Sequence, residues 1–440
     1  MKQIVSMKGL LAGCVLLLLG VTSVQGQTHE LDLKQLIESL HNNHPLTERT
    51  DIYQKQEKLD AALLDKQWLP KVNLQGQATW QSEVTGIEMD ASIPGVDLSI
   101  PEAPKDQYKV ALELQQTLYD GGRTKFLRQL EVTKYEGQQH SHEMDLHTLE
   151  QRVTTLYFAG LQIHYQHQQI ALKAKELDSR LKQLESAVAH GALLPSELHT
   201  LQAEKLKLEQ QILQLEAKQK GLYDQLSLLT GVPVDEQAGF TTPVVSYQQQ
   251  TNWQRPVFDY MKSQQGQLTA QQQLTKAANR PQIFGFAQAG YGKPGLNMLS
   301  DQFSDYYMVG VKLSWQLWDW QKGETQRALL AQQSKLVDLS QQDIKLKFQQ
   351  QLADKRADIN RLENALEKDD EIIALRKSIY NAAKAKLQNG TITATDYLSE
   401  LNAVADAQLA KDLRELSLAK NKVEYLQVMG VPLSEVLMNK

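Results

Sequence analysis

This chain contains the same structural sentence twice, and that repeat limits its possible folds more than any other feature. Gly191-Ala192-Leu193-Leu194-Pro195-Ser196-Glu197 lines up with Gly390-Thr391-Ile392-Thr393-Ala394-Thr395-Asp396, a displacement of 199 residues (191 to 390). The same displacement pairs Gly231-Val232-Pro233 with Gly430-Val431-Pro432, Leu118-Tyr119-Asp120 with Leu317-Trp318-Asp319, and Tyr108-Lys109-Val110 with Tyr307-Met308-Val309. Anchors so widely separated, with no gap between them, define two copies of one unit. Nearer the start of each copy the displacement becomes 211, pairing Pro45 with Pro256 and Pro70 with Pro281. The extra 12 residues (211 less 199) are an insertion in the first copy, in the Pro- and Gly-bearing stretch Thr85 to Asp106, which reads as a loop.

Each copy has the same order of elements. The first, 27–235, reads as a helical segment, strands at about 71–83 and 106–118, a long helix at about 122–190 and a returning helix at about 197–230. After a linker, 236–250, the second copy spans 251–440, with strands at about 282–292 and 305–318, a long helix at about 322–389 and a returning helix at about 396–429. Val72, Leu74, Ala78 and Trp80 alternate with Lys71, Asn73, Gln75, Gln77 and Thr79; Tyr307, Val309, Val311, Leu313, Trp315 and Leu317 repeat that period of two. These strands have about the 9–11 residues that cross a bilayer when tilted, and Trp80, Tyr108, Tyr119, Tyr291, Tyr306, Trp315, Trp318 and Trp320 cluster near their ends. A soluble sheet with one wet face alternates identically, so the helices must decide between the two.

After the strands the period changes to seven. Leu149, Leu156, Ile163, Ile170, Leu177 and Leu184 form one row, and Leu352, Ile359, Leu366, Ile373, Tyr380 and Leu387 form its counterpart. A continuous helix from Gly122 to Gly191 would extend roughly 100 Å, and the returning helix only about half as far. Two shorter helices can therefore stack end to end along each long one. Four strands cannot close a barrel alone, since the smallest spanning barrels have about eight and open edges are forbidden in lipid. The pattern specifies a mainly α chain with a transmembrane β-barrel, in which several copies must share their strands.

Residues 1–26 read as a secretory signal peptide: Lys2 and Lys8, an apolar run from Gly9 to Gly20, and Val24-Gln25-Gly26 before Gln27. Leu11-Ala12-Gly13-Cys14 matches a lipoprotein box in letters, but the apolar residues Val15 to Leu19 follow the cysteine instead of preceding it, so no lipidation is expected. Cys14 is the only cysteine, which leaves the mature chain without a disulfide. The formal charge of −5 falls to −7 without Lys2 and Lys8, and nothing predicts nucleic-acid binding. His164 and His167, with His140, His142 and His147 nearby, lack the carboxylate or thiol that would complete a metal-ligand set. Walker, nucleophile-elbow and dinucleotide motifs are missing from the sequence, so neither an enzyme nor a cofactor is expected.

Leu31-Asp32-Leu33 through Asn43 and Pro45, Leu118-Tyr119-Asp120-Gly121-Gly122 at the strand-to-helix junction, and the two Gly-x-x-x-x-[ST]-[DE] turns carry a specific resemblance. In these features the whole mature chain resembles the TolC-type outer-membrane efflux protein family. The resemblance implies a homotrimer embedded in outer-membrane lipid of a Gram-negative bacterium, with a twelve-stranded barrel, a periplasmic helical barrel and a coiled-coil tip. It also implies export with an inner-membrane pump and a periplasmic adaptor. By the same resemblance Gly191, Leu193, Leu194, Ser196, Gly390, Ile392, Thr393 and Thr395 form the adaptor-contact turns, and Glu197 and Asp396 belong to an acidic ring at a constricted entrance. Ile392 stands where the family carries a gate arginine and Ser399 where it carries a second aspartate, with Glu400 one residue further able to substitute.

Gly191 and Gly390 suit left-handed helix C-caps, and Ser196 or Thr395 with the following acid suits the next N-cap. Convergence of like charges at the entrance would raise its carboxylate pKa values. The first junction carries Asp120, Gly121 and Gly122; the second, Asp319-Trp320-Gln321-Lys322-Gly323, departs from the Gly pair. The competing expectation is a non-conducting coiled-coil envelope scaffold or adhesin. It accounts for the heptads and the leader but not for aromatic-ended alternating strands in both copies.

Overall fold

A computed structural model describes residues 31–84, 102–191, 193–234, 239–245 and 253–438. The leader with Cys14, the body of the Thr85–Asp106 loop and much of the 236–250 linker lie outside these. The first repeat runs α1 (Leu33–Asn43), α2 (Arg49–Lys66), β1 (Lys71–Trp80), β2 (Asp106–Tyr119), α3 (Arg123–Ala189) and α4 (Pro195–Thr230). A short strand β3 (Val244–Val245) precedes the second: α5 (Pro256–Ala278), β4 (Gln282–Lys293), β5 (Ser304–Ser314), α6 (Lys322–Gln388) and α7 (Ala394–Met429), closed by α8 (Leu433–Val436) and β6 (Leu437–Met438).

The long helices α3 and α6 each have 67 residues, and each carries two shorter helices end to end. A backbone carbonyl accepts at each joint. Asn43 at the end of α1 donates its Nδ2 to the Thr230 carbonyl at 3.3 Å, and the Gln254 amide before α5 donates to the Met429 carbonyl at 2.9 Å. Gly430 is required at the second joint, because its φ is +81° and a Cβ would come within 2.5 Å of the Gln254 oxygen. Around these joints lies the larger core, including Leu33, Leu40, Tyr157, Phe158, Tyr223, Phe240, Val423 and Tyr425. The Phe240 ring lies against α3 at Gly160, where a Cβ would meet it at 2.5 Å. A smaller core of Leu177, Leu181, Leu184, Leu201, Leu387, Tyr397 and Leu401 holds the far end of the helices together.

The four long strands form one antiparallel sheet in the order β1-β2-β4-β5. The pairings Leu74↔Leu112↔Ala289↔Tyr307 and Val72↔Leu114↔Ala287↔Val309 put one apolar row after another on the same face. Val72, Leu74, Val110, Leu112, Val309, Val311 and Leu313 are exposed there, an arrangement that suits lipid and not water. Trp80, Tyr108, Tyr291 and Phe303 edge this band at the loop end, and Trp68, Tyr119, Trp315, Trp318 and Trp320 at the helix end. The opposite face is polar: Glu113 accepts from Gln75 on β1 and from Gln288 on β4, each at 2.9 Å. On that face Tyr306 lies across Gly290 onto Ala111 and buries it.

β5 is shorter than its alternation suggests. It stops at Ser314, paired with Gln282, because β4 begins only after Pro281 and offers no partner to Trp315 or Leu317. Among the described residues no helix is long and apolar enough to cross a membrane.

Candidate functional sites at the helical tip and the strand junctions

At the far end of the molecule α3 and α6 both finish in a left-handed glycine, Gly191 with φ +73° and Gly390 with φ +67°. Nothing crowds a Cβ at either, so the backbone angle alone calls for glycine. The returning helices begin at Pro195 and Ala394, two residues earlier than their sequence pattern suggests. The cap of α7 is therefore Thr393 and not Thr395: Thr393 Oγ1 accepts the Asp396 amide at 3.1 Å, and Asp396 Oδ2 accepts the Thr393 amide at 3.1 Å and its hydroxyl at 2.8 Å. Ser196 likewise sits inside the first turn of α4, which opens from Leu194 without a side-chain cap and has Pro195 at its first position. Within the chain the hydrogen bonds from Thr393 hold the Asp396 carboxyl below its ordinary range, opposite to the rise that converging like charges would cause.

Glu197 reaches across to the second repeat, where its Oε2 accepts the Ala394 amide at 2.5 Å. Asp396 and Glu400 instead share a groove of about 460 Å3 with Ile379, Lys386, Ile392 and Ser399. Glu400 also lies 3.8 Å from Arg376 Nη1. The three acids are thus divided between two environments. Of the apolar turn residues, Leu193 and Ile392 pack onto the tip core while Leu194, 68% exposed, projects.

At the sheet end, Asp120 Oδ1 accepts the Gly122 amide at 2.8 Å and its Oδ2 the Thr124 amide at 2.6 Å, closing a turn in which Gly121 and Gly122 have φ +70° and +85°. The second junction builds the same turn without glycine at its two left-handed positions. Asp319 Oδ2 accepts the Gly323 amide at 3.0 Å, and Trp320 and Gln321 take φ +54° and +62°. Asn279 Nδ2 holds the Asp319 carboxylate at 2.6 Å. The first turn is covered, since a Cβ on Gly121 would come within 2.8 Å of Arg280 Cβ. The second lies on the open edge of the sheet with Trp320 85% exposed, so side chains fit and only the backbone strain remains, about 1–2 kcal/mol per residue.

The fold is shared with solved outer-membrane proteins. CusC superposes with a TM-score of 0.72 at 14% identity, over 92% of this chain and 93% of that one. VceC of Vibrio cholerae gives 0.68 at 14% over 91% and 96%, and the CmeC channel of Campylobacter jejuni 0.66 at 14% over 93% and 87%. No curated protein is significantly similar in sequence. The sequence profile of the family described as "Outer membrane efflux protein" matches residues 36–232, the span of the first repeat. The first repeat is thus similar in sequence to the outer membrane efflux proteins, and the whole chain shares the fold of the solved channels.

The helical tip also contains a polar network that the sequence alone did not single out. Lys384 on α6 lies 2.7 Å from Glu176 Oε1 on α3, and the Tyr397 hydroxyl on α7 donates to the same oxygen at 3.1 Å. Tyr380 packs beside Tyr397, and the buried Arg180 guanidinium lies over the Tyr397 ring, 5.3 Å from its centroid. Burial opposes ionisation of Glu176, but the bonds from Lys384 and Tyr380 outweigh it and hold its pKa below the ordinary value. Burial, then Tyr397 and Glu176, push the Tyr380 hydroxyl far up. The available signal was Tyr380 itself, the one aromatic in an otherwise aliphatic heptad row.

Proposed function

We propose that this protein is the outer-membrane channel of a tripartite export system, in which three copies close their sheets into one barrel and pass cargo from an inner-membrane pump and periplasmic adaptor to the exterior. The observation that carries the reading is the pair of unsatisfied edges running the whole length of the chain. β1 and β5 are the outer strands of the sheet, α2 continues the first edge and α6 the second. Ile52, Leu59 and Leu63 are exposed on α2, and Leu206 and Leu213 on α4 below it; Leu329, Leu336, Leu346, Leu375 and Ile379 are exposed on α6. A ring in which the β5/α6 edge of one copy meets the β1/α2/α4 edge of the next gives this apolar surface a partner and leaves no strand edge in lipid.

In this reading the Gly191 and Gly390 turns, with Leu193, Leu194, Ser196, Ile392, Thr393 and Thr395, receive the adaptor. Glu197, Asp396 and Glu400 form the acidic entrance, and the Glu197 contact to Ala394 holds the two hairpin tips of one copy together at rest. The test is the purified protein in a planar lipid bilayer. Discrete current steps from a species of trimer mass are expected; a membrane-bound trimer that never conducts would return the chain to the scaffold reading.

A further inference from the structure

The polar face of the sheet carries an unbalanced charge. Its rows read Lys71, Asn73, Gln75, Gln77 and Thr79 on β1, Gln107, Lys109, Ala111, Glu113 and Gln115 on β2, Phe284, Phe286, Gln288, Gly290 and Gly292 on β4, and Ser304, Tyr306, Met308, Gly310 and Lys312 on β5. Three lysines face one glutamate. The remaining strand charges, Asp106, Lys293 and Asp305, belong to the other face at its loop end, where Lys293 pairs with Asp106 and Asp301.

The wall treats its two signs differently. Glu113 has both oxygens occupied by the amides of Gln75 and Gln288, so an incoming cation would have to displace those bonds. Lys109 is held inward, its Nζ 5.0 Å from the centroid of the Tyr306 ring, and that ring is itself fixed over Gly290. Lys71 and Lys312 are exposed, and among the described residues no carboxylate pairs with Lys71, Lys109 or Lys312. Lys71 opens the edge strand β1 and Lys312 lies near the end of the edge strand β5, both at the helix end of the sheet. Closing the ring brings these two positions toward the same seam.

Resting on the barrel reading above, we infer that the lumen of the strand barrel is a cationic passage that favours anionic solutes, opposite in sign to the acidic helical tip. Two uncompensated positive charges per copy become six around one bore. A low-dielectric wall focuses such a field along the pore axis, raising the local concentration of anions and opposing cations that enter from outside. Cargo carrying phosphate, sulfonate or carboxylate groups fits this passage best.

The test uses channels of the full-length protein in planar bilayers, with inorganic pyrophosphate added on the side of the strand loops. Pyrophosphate should block the wild-type current, and the variant carrying Lys71→Gln, Lys109→Gln and Lys312→Gln should need at least about fivefold more of it. Glu113→Gln should shift block the other way. Pyrophosphate block unchanged in the triple variant, or stronger block by lanthanum than by pyrophosphate from the loop side, would overturn the inference. A wild-type protein that inserts but carries no current fails the channel reading itself, which is a different outcome. If the triple variant does not assemble, Lys109→Gln and Glu113→Gln alone decide, since the inference requires them to move block in opposite directions.

Discussion

Glu197, in the first turn of one returning helix, accepts the amide of Ala394, the first residue of the other, at 2.5 Å. The N-terminal amides of a helix have no partner within it, and a carboxylate there also meets the positive end of the helix dipole. One side chain thus ties the second hairpin to the first at the point where both turn.

Glu197→Ala removes that tie. A charge-assisted hydrogen bond is worth about 1.5–3 kcal/mol, so the resting tip should loosen while the rest of the chain keeps its packing. The expected result is a higher resting conductance in planar bilayers and no change in the thermal unfolding of the detergent-solubilised protein; unchanged conductance would leave Glu197 a helix cap and nothing more.

Asp396 and Glu400 share the groove on the second hairpin. The double variant Asp396→Asn with Glu400→Gln should weaken block by a trivalent cation added on the tip side by about tenfold, roughly 1.4 kcal/mol. Asp369 and Asp370, higher on α6, are paired with Arg414 and Lys411, so their substitution should change block far less. Single-channel titration with cobalt hexammine makes the comparison.

A histidine pair couples the joint region to pH. His41 Nε2 lies 2.6 Å from one Glu150 oxygen and His147 Nδ1 3.4 Å from the other. The bond to Glu150 raises His41 above 6.5, against burial; burial opposes ionisation of Glu150, but His147 and His41 outweigh it and carry that carboxyl down to about 2. A raised histidine contributes fully below 6.5 and loses its contribution as pH rises through its folded pKa, whereas a depressed carboxylate contributes fully above 4.5 and loses it as pH falls toward 2. The joint should therefore be most stable between 4.5 and 6.5. Thermal unfolding of the detergent-solubilised protein should fall off on both sides of that window, and His41→Gln should abolish part of the fall on the alkaline side.

The two junctions should respond oppositely to glycine. Gln321→Gly relieves one left-handed residue and should stabilise by about 1 kcal/mol. Gly121→Ala adds the same strain and a contact with Arg280, so it should destabilise by more than that gain. Thermal unfolding of the detergent-solubilised protein measures both.

Much of the fold was legible because its signals are local. Alternation of Val72, Leu74, Val309 and Val311 with polar neighbours follows from the pleat, and the leucine rows of α3 and α6 follow from the helical period; neither needs knowledge of a distant residue. The left-handed turns at Gly191 and Gly390 are equally local, since only glycine adopts that angle without strain. Where a helix begins is not local. Thr393 and Asp396 close a local capping box at the start of α7, but the acceptor for the first amide of that helix is Glu197, 197 positions earlier. Trp320 and Gln321 take a glycine geometry because Asn279 and Gly323 fix the Asp319 carboxylate that closes the turn. The Glu176, Lys384 and Tyr397 network draws on three helices, and no periodicity in any one of them encodes it. β5 ends at Ser314, although its own alternation runs on to Leu317, because a strand extends only as far as its neighbour can pair with it. Periodic side-chain patterns are properties of one segment, but caps, turns and strand ends are set by which backbone group finds a partner, and only the tertiary structure supplies that partner.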